Sequence, residues 1–190
     1  MADEPALEFG DRAQWEAWLE RNHSSSRGLW LRLAKKGSPI PTVTYAEALT
    51  EAIRYGWIDG QRRAGDERSY LQRFTPRAPR SVWSQINRDK ALALIAEGAM
   101  TEAGLAQVQA AQRDGRWERA YEPQSRATVP EDFARELRRN PAAKQFFATL
   151  SGSRRYAFLY RLHQTRSEAA RARRIAAYIE LLSAGKTLQD

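Results

Sequence analysis

Apolar positions in this chain follow two rhythms, mixed before Val82 and helical from there onward. Before it, Leu29-Trp30-Leu31-Arg32-Leu33 alternates strictly, predicting a half-buried strand with three leucines on one face and Trp30 and Arg32 on the other. Leu7-Glu8-Phe9 predicts a shorter strand. Asp11 is placed to cap a helix through about Arg21, on which Trp15, Trp18 and Leu19 form a buried stripe. His23-Ser24-Ser25-Ser26 reads as a surface loop, and Gly37 to Pro41 as a break. Thr44-Tyr45-Ala46-Glu47 is a capping box opening a helix whose apolar face runs Ala48, Leu49, Ala52, Ile53 and stops at Gly56. A β-hairpin follows from Trp57, its turn near Ala64 to Glu67.

The hairpin leaves through Thr75-Pro76-Arg77-Ala78-Pro79-Arg80 and enters a helix at Ser81 or Ser84. Ile86, Leu92 and Ile95 lead to Gly98, and Thr101 caps a helix carrying Leu105, Val108 and Ala111. Trp117 to Val129 has little periodicity and reads as a linker. Beyond it, Pro130 opens a helix to about Arg139, and Pro141 to Leu150 forms another with Phe146, Phe147 and Leu150 facing in. Arg154 to His163 and Ser167 to Ala184 complete a helical C-terminal part. The expected organisation is an α+β domain over 1–116, a linker over 117–129 and a helical region over 130–190.

Composition narrows the chemistry. With 190 residues and 42% apolar content the chain can bury a sizeable core. No cysteine is present, which excludes disulfides, thiolate metal sites and cysteine nucleophiles. No basic-then-apolar leader opens the sequence, and no apolar run approaches the roughly 18 residues of a membrane helix. These features fit a reducing cytoplasm. The net charge of +8 sits mainly in the hairpin region and the last helices. A basic balance favours anionic partners, nucleic acid among them, although an arginine-rich codon bias produces the same excess.

Three segments resemble the YdeI/OmpD-associated, bacteriocin-protection (OmdA-like) family of small bacterial proteins. They are Val43 to Leu49 running into Gly56 to Gln61, then Tyr70 to Arg77 with Ser81 to Asn87, and finally Ala172-Arg173-Arg174-Ile175. The resemblance covers most of the chain. It implies protection against bacteriocins or antimicrobial stress and a link to an outer-membrane porin; it implies no settled catalytic residues.

The residues from Trp57 to Asn87 carry the candidate site. Period-two alternation places Trp57, Asp59, Gln61 and Arg63 on one face of the first strand, with Ile58, Gly60 and Arg62 on the other. The second strand sets Tyr70, Gln72 and Phe74 opposite Leu71 and Arg73. A face mixing aromatic planes with polar groups suits a ligand pocket, approached closely at Gly60, or else a core face in which Asp59 pairs with an arginine. At the helix entrance, Arg77 and Arg80 flank backbone N–H groups that favour an anion, with Ser81, Ser84 and Asn87 as neutral donors. Alternatively Ser81 is only the N-cap, and the arginines are solvated or paired with Asp66 and Glu67. The ligand-binding set is therefore Trp57, Asp59, Gln61, Tyr70, Arg73, Phe74, Arg77, Arg80, Ser81, Ser84 and Asn87.

Elsewhere the chemistry is sparse. His163 reads as structural, and two histidines without cysteine suggest no metal site. Arg166, Arg171, Arg173 and Arg174 read as a solvated face of the last helix, with nucleic-acid contact as the other reading. No nucleotide-loop or nucleophile-elbow motif occurs, so neither a cofactor nor a catalytic set is expected. The expectation is a non-catalytic, cytoplasmic YdeI/OmdA-like protection protein that binds an anionic small molecule or a nucleic-acid backbone. The alternatives are a small enzyme acting on a polar metabolite with Asp59 as base near Tyr70 and Arg73, or a protein–protein adaptor.

Overall fold

A computed structural model describes residues 4–188. Its N-terminal elements follow from the caps and alternation. β1 (Ala6–Leu7) precedes α1 (Arg12–Asn22), where the Asp11 side chain accepts from the Gln14 N–H at 2.9 Å. β2 (Leu29–Ala34) leads to α2 (Tyr45–Arg54), whose Thr44/Glu47 capping box is complete. The hairpin is β3 (Trp57–Ala64) and β4 (Ser69–Pro76), followed by α3 (Gln85–Ala96) and α4 (Glu102–Arg113). The sheet order is β1-β2-β4-β3, with β1 parallel to β2 and the other pairs antiparallel, so the fold is α+β.

Leu29, Leu31 and Leu33 share a face of this sheet with Phe74 and are fully buried, as their alternation predicts. Trp30, on the opposite face, is also buried at 5% exposure. The core is dominated by aromatic rings: Trp15 stacks on Trp18 at 5.5 Å, and Trp57 meets both edge-on. Each ring of this kind buried removes enough apolar surface to contribute about 1.5–3 kcal/mol. Glu51 lies in this apolar unit with no exposure, and its two oxygens are paired with Arg12 Nε and Arg54 Nη1 at 2.6 and 2.5 Å. At Gly56 the backbone turns with φ +73°, and an added Cβ would stand 2.9 Å from the Ala103 carbonyl oxygen, so only glycine ends α2 here.

The chain divides into two compact units, with the boundary between Ala120 and Tyr121. Trp117 and Ala120, within the stretch expected as linker, are buried in the N-terminal core. Trp117 is held by its edge-on ring contact with Trp83 at 4.9 Å, a tertiary contact that leaves no periodic trace in the sequence.

The C-terminal unit is helical: α5 (Glu131–Arg139), α6 (Pro141–Thr149), α7 (Gly152–His163) and α8 (Glu168–Ser183). Phe133, Phe147, Phe158 and Tyr178 form a chain of edge-to-face rings at its centre. Of the three residues expected to face in on α6, Phe147 is buried, whereas Phe146 and Leu150 are half-buried.

Candidate functional site

A β-bulge reorganises the hairpin. Asp59 pairs with Phe74, but Arg62 pairs with Gln72, so β3 carries one extra residue between them. Beyond the bulge the alternation is inverted. Arg62 falls on the face of Trp57, Asp59, Tyr70, Gln72 and Phe74, and Arg63 falls on the opposite face with Trp30 and Arg73. The expectation that Gln61 and Arg63 continue the Trp57/Asp59 face is therefore corrected, because a single inserted residue flips every later side chain. Gln72 secures the bulge: its Nε2 donates to the carbonyls of Gly60 (2.9 Å) and Gln61 (3.2 Å), the two residues at the register shift.

Inside the bulge the hairpin face is core. Trp57 is 1% exposed and its Nε1 donates to the His23 carbonyl, while Phe74 is fully buried. Asp59 is half-buried and accepts from the Tyr45 phenol at 2.8 Å, not from an arginine. Arg73, on the other face, grips Glu4 through Nε and Nη2 at 2.7 and 2.5 Å. That contact holds the Glu4 carboxyl below its usual range. Asp59, Tyr70 and Arg73 thus do not converge on one face.

Outside the bulge the picture is different. The Arg62 guanidinium lies 3.9 Å over the Tyr70 ring, and that of Arg63 lies 4.0 Å over Trp30. Both arginines are exposed, and among the described residues neither lies within 4.0 Å of a carboxylate. A guanidinium flat on a ring commits its face to the ring and leaves its in-plane N–H donors directed outward, a geometry that matches phosphate or carboxylate. Asp66 anchors the turn beside them by accepting from Arg32, Ser69 and the Arg68 N–H. The Ser69 hydroxyl and then the Arg68 N–H hold its carboxyl down to about 2. β3 is an edge strand, so Arg62 and Arg63 also discourage pairing with another sheet.

The helix entrance is closed. Ser84, rather than Ser81, caps α3 by accepting from the Asn87 N–H at 3.1 Å; Ser81 instead accepts from the Ala78 N–H within a turn. Arg77 is 5% exposed, lies 3.5 Å over Trp83 and donates to the Val82 carbonyl. Buried Arg116 donates to the Ser81 carbonyl at 2.7 Å and pins the same segment. Asn87 is buried as well, leaving Arg80 as the exposed cation of the original pair. The arginines at this entrance do not pair with Asp66, whose guanidinium partner is Arg32.

Other positions also shift. His23 lies in the turn after α1 but is half-buried: its Nδ1 lies 2.9 Å from the Leu19 carbonyl oxygen, closing the helix, and its ring is 5.3 Å from Tyr55. The C-terminal arginines are not a uniform solvated face. Arg171 holds Asp132 bidentately at 2.5 and 2.9 Å, Arg174 donates to the Arg161 carbonyl, and Arg166 precedes α8. A cavity of about 810 Å³ runs between α5 and α8, over Ile175 and Ile179; its charges include the Asp132–Arg171 pair and the closely spaced Arg135 and Glu136. Among the described residues, no cluster of three or more metal-ligating side chains occurs and no helix is long and apolar enough to cross a membrane.

Residues 7–107, just over half the chain, match a family described as a domain of unknown function (DUF8412). Residues 126–185 match the family described as bacteriocin-protection, YdeI or OmpD-associated. Of the segments carrying the resemblance, Ala172 to Ile175 lies within the second match; the hairpin segments lie within the first. No curated protein and no solved structure matches the chain.

Proposed function

The chain belongs to the family of that N-terminal domain of unknown function and, through its C-terminal unit, to the YdeI/OmpD-associated bacteriocin-protection family; from this premise we propose a non-catalytic protection factor that docks on a polyanion, the phosphate backbone of a nucleic acid, in the cytoplasm. The contact surface is the outer half of the β3–β4 hairpin. The observation that carries the reading is the pair of stacked guanidiniums, Arg62 on Tyr70 and Arg63 on Trp30, exposed and without carboxylate partners within 4.0 Å among the described residues. Because the bulge sends them to opposite faces, the hairpin presents donors on both sides of one strand and can straddle a phosphate ridge. Arg68 adds a third exposed cation at the turn.

A binding role also suits the residues around it. Asp59 is engaged by Tyr45, and Arg73 is committed to Glu4 on the far face, so the groups that an acid–base reaction would use are held apart. Fluorescence anisotropy with labelled duplex DNA and single-stranded RNA tests the reading. Binding should weaken steeply with salt, and Arg62→Ala with Arg63→Ala should lower affinity about ten-fold and reduce the log–log salt slope by about 2. Absence of binding at low salt, or wild-type affinity in the double variant, would overturn it.

A further inference from the structure

A second cavity, of about 380 Å³, opens in the C-terminal unit and belongs to none of the features above. Two helices build it by the same spacing. Ala134, Leu137 and Arg138 line it from α5, and Lys144, Phe147 and Ala148 line it from α6, each set at i, i+3, i+4 on one helix face. Val129 and Arg155 complete the wall. The floor is apolar, with Phe147 3% exposed, and Arg155 places its guanidinium 4.9 Å over that ring.

The rim is unusual in sign. Arg138, Lys144 and Arg155, from three different helices, converge on the pocket, and no carboxylate lines it. Arg138 has Glu131 as an exposed partner at 2.5 Å. Among the described residues, Lys144 and Arg155 have no carboxylate within 4.0 Å. A pocket with cations at its rim and an apolar floor favours an anion that carries an apolar body. The α5–α8 cavity differs, since carboxylates line it alongside its two arginines.

We propose that this pocket binds a small anionic amphiphile, a carboxylate joined to a compact apolar or aromatic body. The volume lies at the lower end of the range for small-molecule sites. The body would rest on Leu137 and Phe147, Arg155 would hold the carboxylate by paired N–H donors, Lys144 would supply a point charge, and Arg138, with Nη2 on Glu131, would add to the positive rim. The site is independent of the hairpin surface.

Isothermal calorimetry on the full chain, with 2-naphthoate and octanoate as probes and the corresponding neutral amides as controls, decides the matter. The carboxylates should bind at least about ten-fold tighter than the amides, a charge-assisted contact being worth that much. Lys144→Gln with Arg155→Gln should remove the preference, and because both side chains are exposed the fold should persist, which circular dichroism checks. Ala148→Trp, which fills the pocket, should abolish binding of acid and amide alike. Arg62→Ala with Arg63→Ala should leave naphthoate binding unchanged. No binding at millimolar ligand, equal binding of acid and amide, or an unaffected Lys144/Arg155 variant would each overturn the proposal.

Discussion

Arg62 and Arg77 make the same contact and come to opposite ends. Each places its guanidinium over an aromatic ring, at 3.9 Å over Tyr70 and 3.5 Å over Trp83. Arg62 stands on an edge strand with its N–H edge in solvent; Arg77 is 5% exposed and enclosed with Trp83 and Trp117. Stacking sets the orientation of a guanidinium, and burial decides whether its donors serve a partner or the fold. The buried example ties down the chain between β4 and α3, while the exposed one leaves its recognition edge open.

Substitutions can break this contrast, and the largest effect belongs to its buried side. Trp83→Ala should cost about 3–5 kcal/mol in urea unfolding, as removal of a core aromatic does. Arg77→Ala should cost about 2–3 kcal/mol, through lost stem packing, ring contact and the bond to Val82, without changing the salt slope of polyanion binding in protein that remains folded. A loss of slope in Arg77→Ala equal to that in the Arg62 and Arg63 variants would erase the distinction. Gln72→Ala should cost about 1–3 kcal/mol, because the Gly60 and Gln61 carbonyls lose their donor; amide exchange should quicken around the bulge. Arg62→Ala should change stability by no more than about 0.5 kcal/mol while weakening binding, the reverse of Arg77→Ala. The smallest effect is electrostatic. Asp66 is depressed from 3.8 to about 2, so its contribution is present above pH 3.8 and fades as pH falls through about 2; carbon-detected NMR titration of its carboxyl should return the low value, and Ser69→Ala should raise it.

Much of the N-terminal fold was legible because its signals are local. The Asp11 cap, the Thr44/Glu47 box, the leucine alternation and the hairpin turn each lie within a few residues of the element they specify. The candidate site was legible only as a region. Trp57, Phe74, Ser84 and Asn87 prove to be core or cap, and the arginines with open donors are Arg62 and Arg63, which alternation assigned to the wrong faces. Glu51 passed unnoticed, although a carboxylate beside Ala48 and Ala52 on an apolar helix face is a visible oddity. The cluster of Arg138, Lys144 and Arg155 left a weaker trace, since one cation on the lining face of each of two short helices is ordinary.

By itself, the sequence determined the class and element order of this protein, because caps, turns and apolar periods act over one or two turns of chain. It also set the charge and supplied the arginines and rings. Only the tertiary structure decided which arginine met which ring and which pair stayed in water. Strand register depends on a single bulged residue, and burial depends on side chains far apart in sequence, such as Trp117 against Trp83 and Arg116 on Ser81. Local pattern carries no record of such contacts.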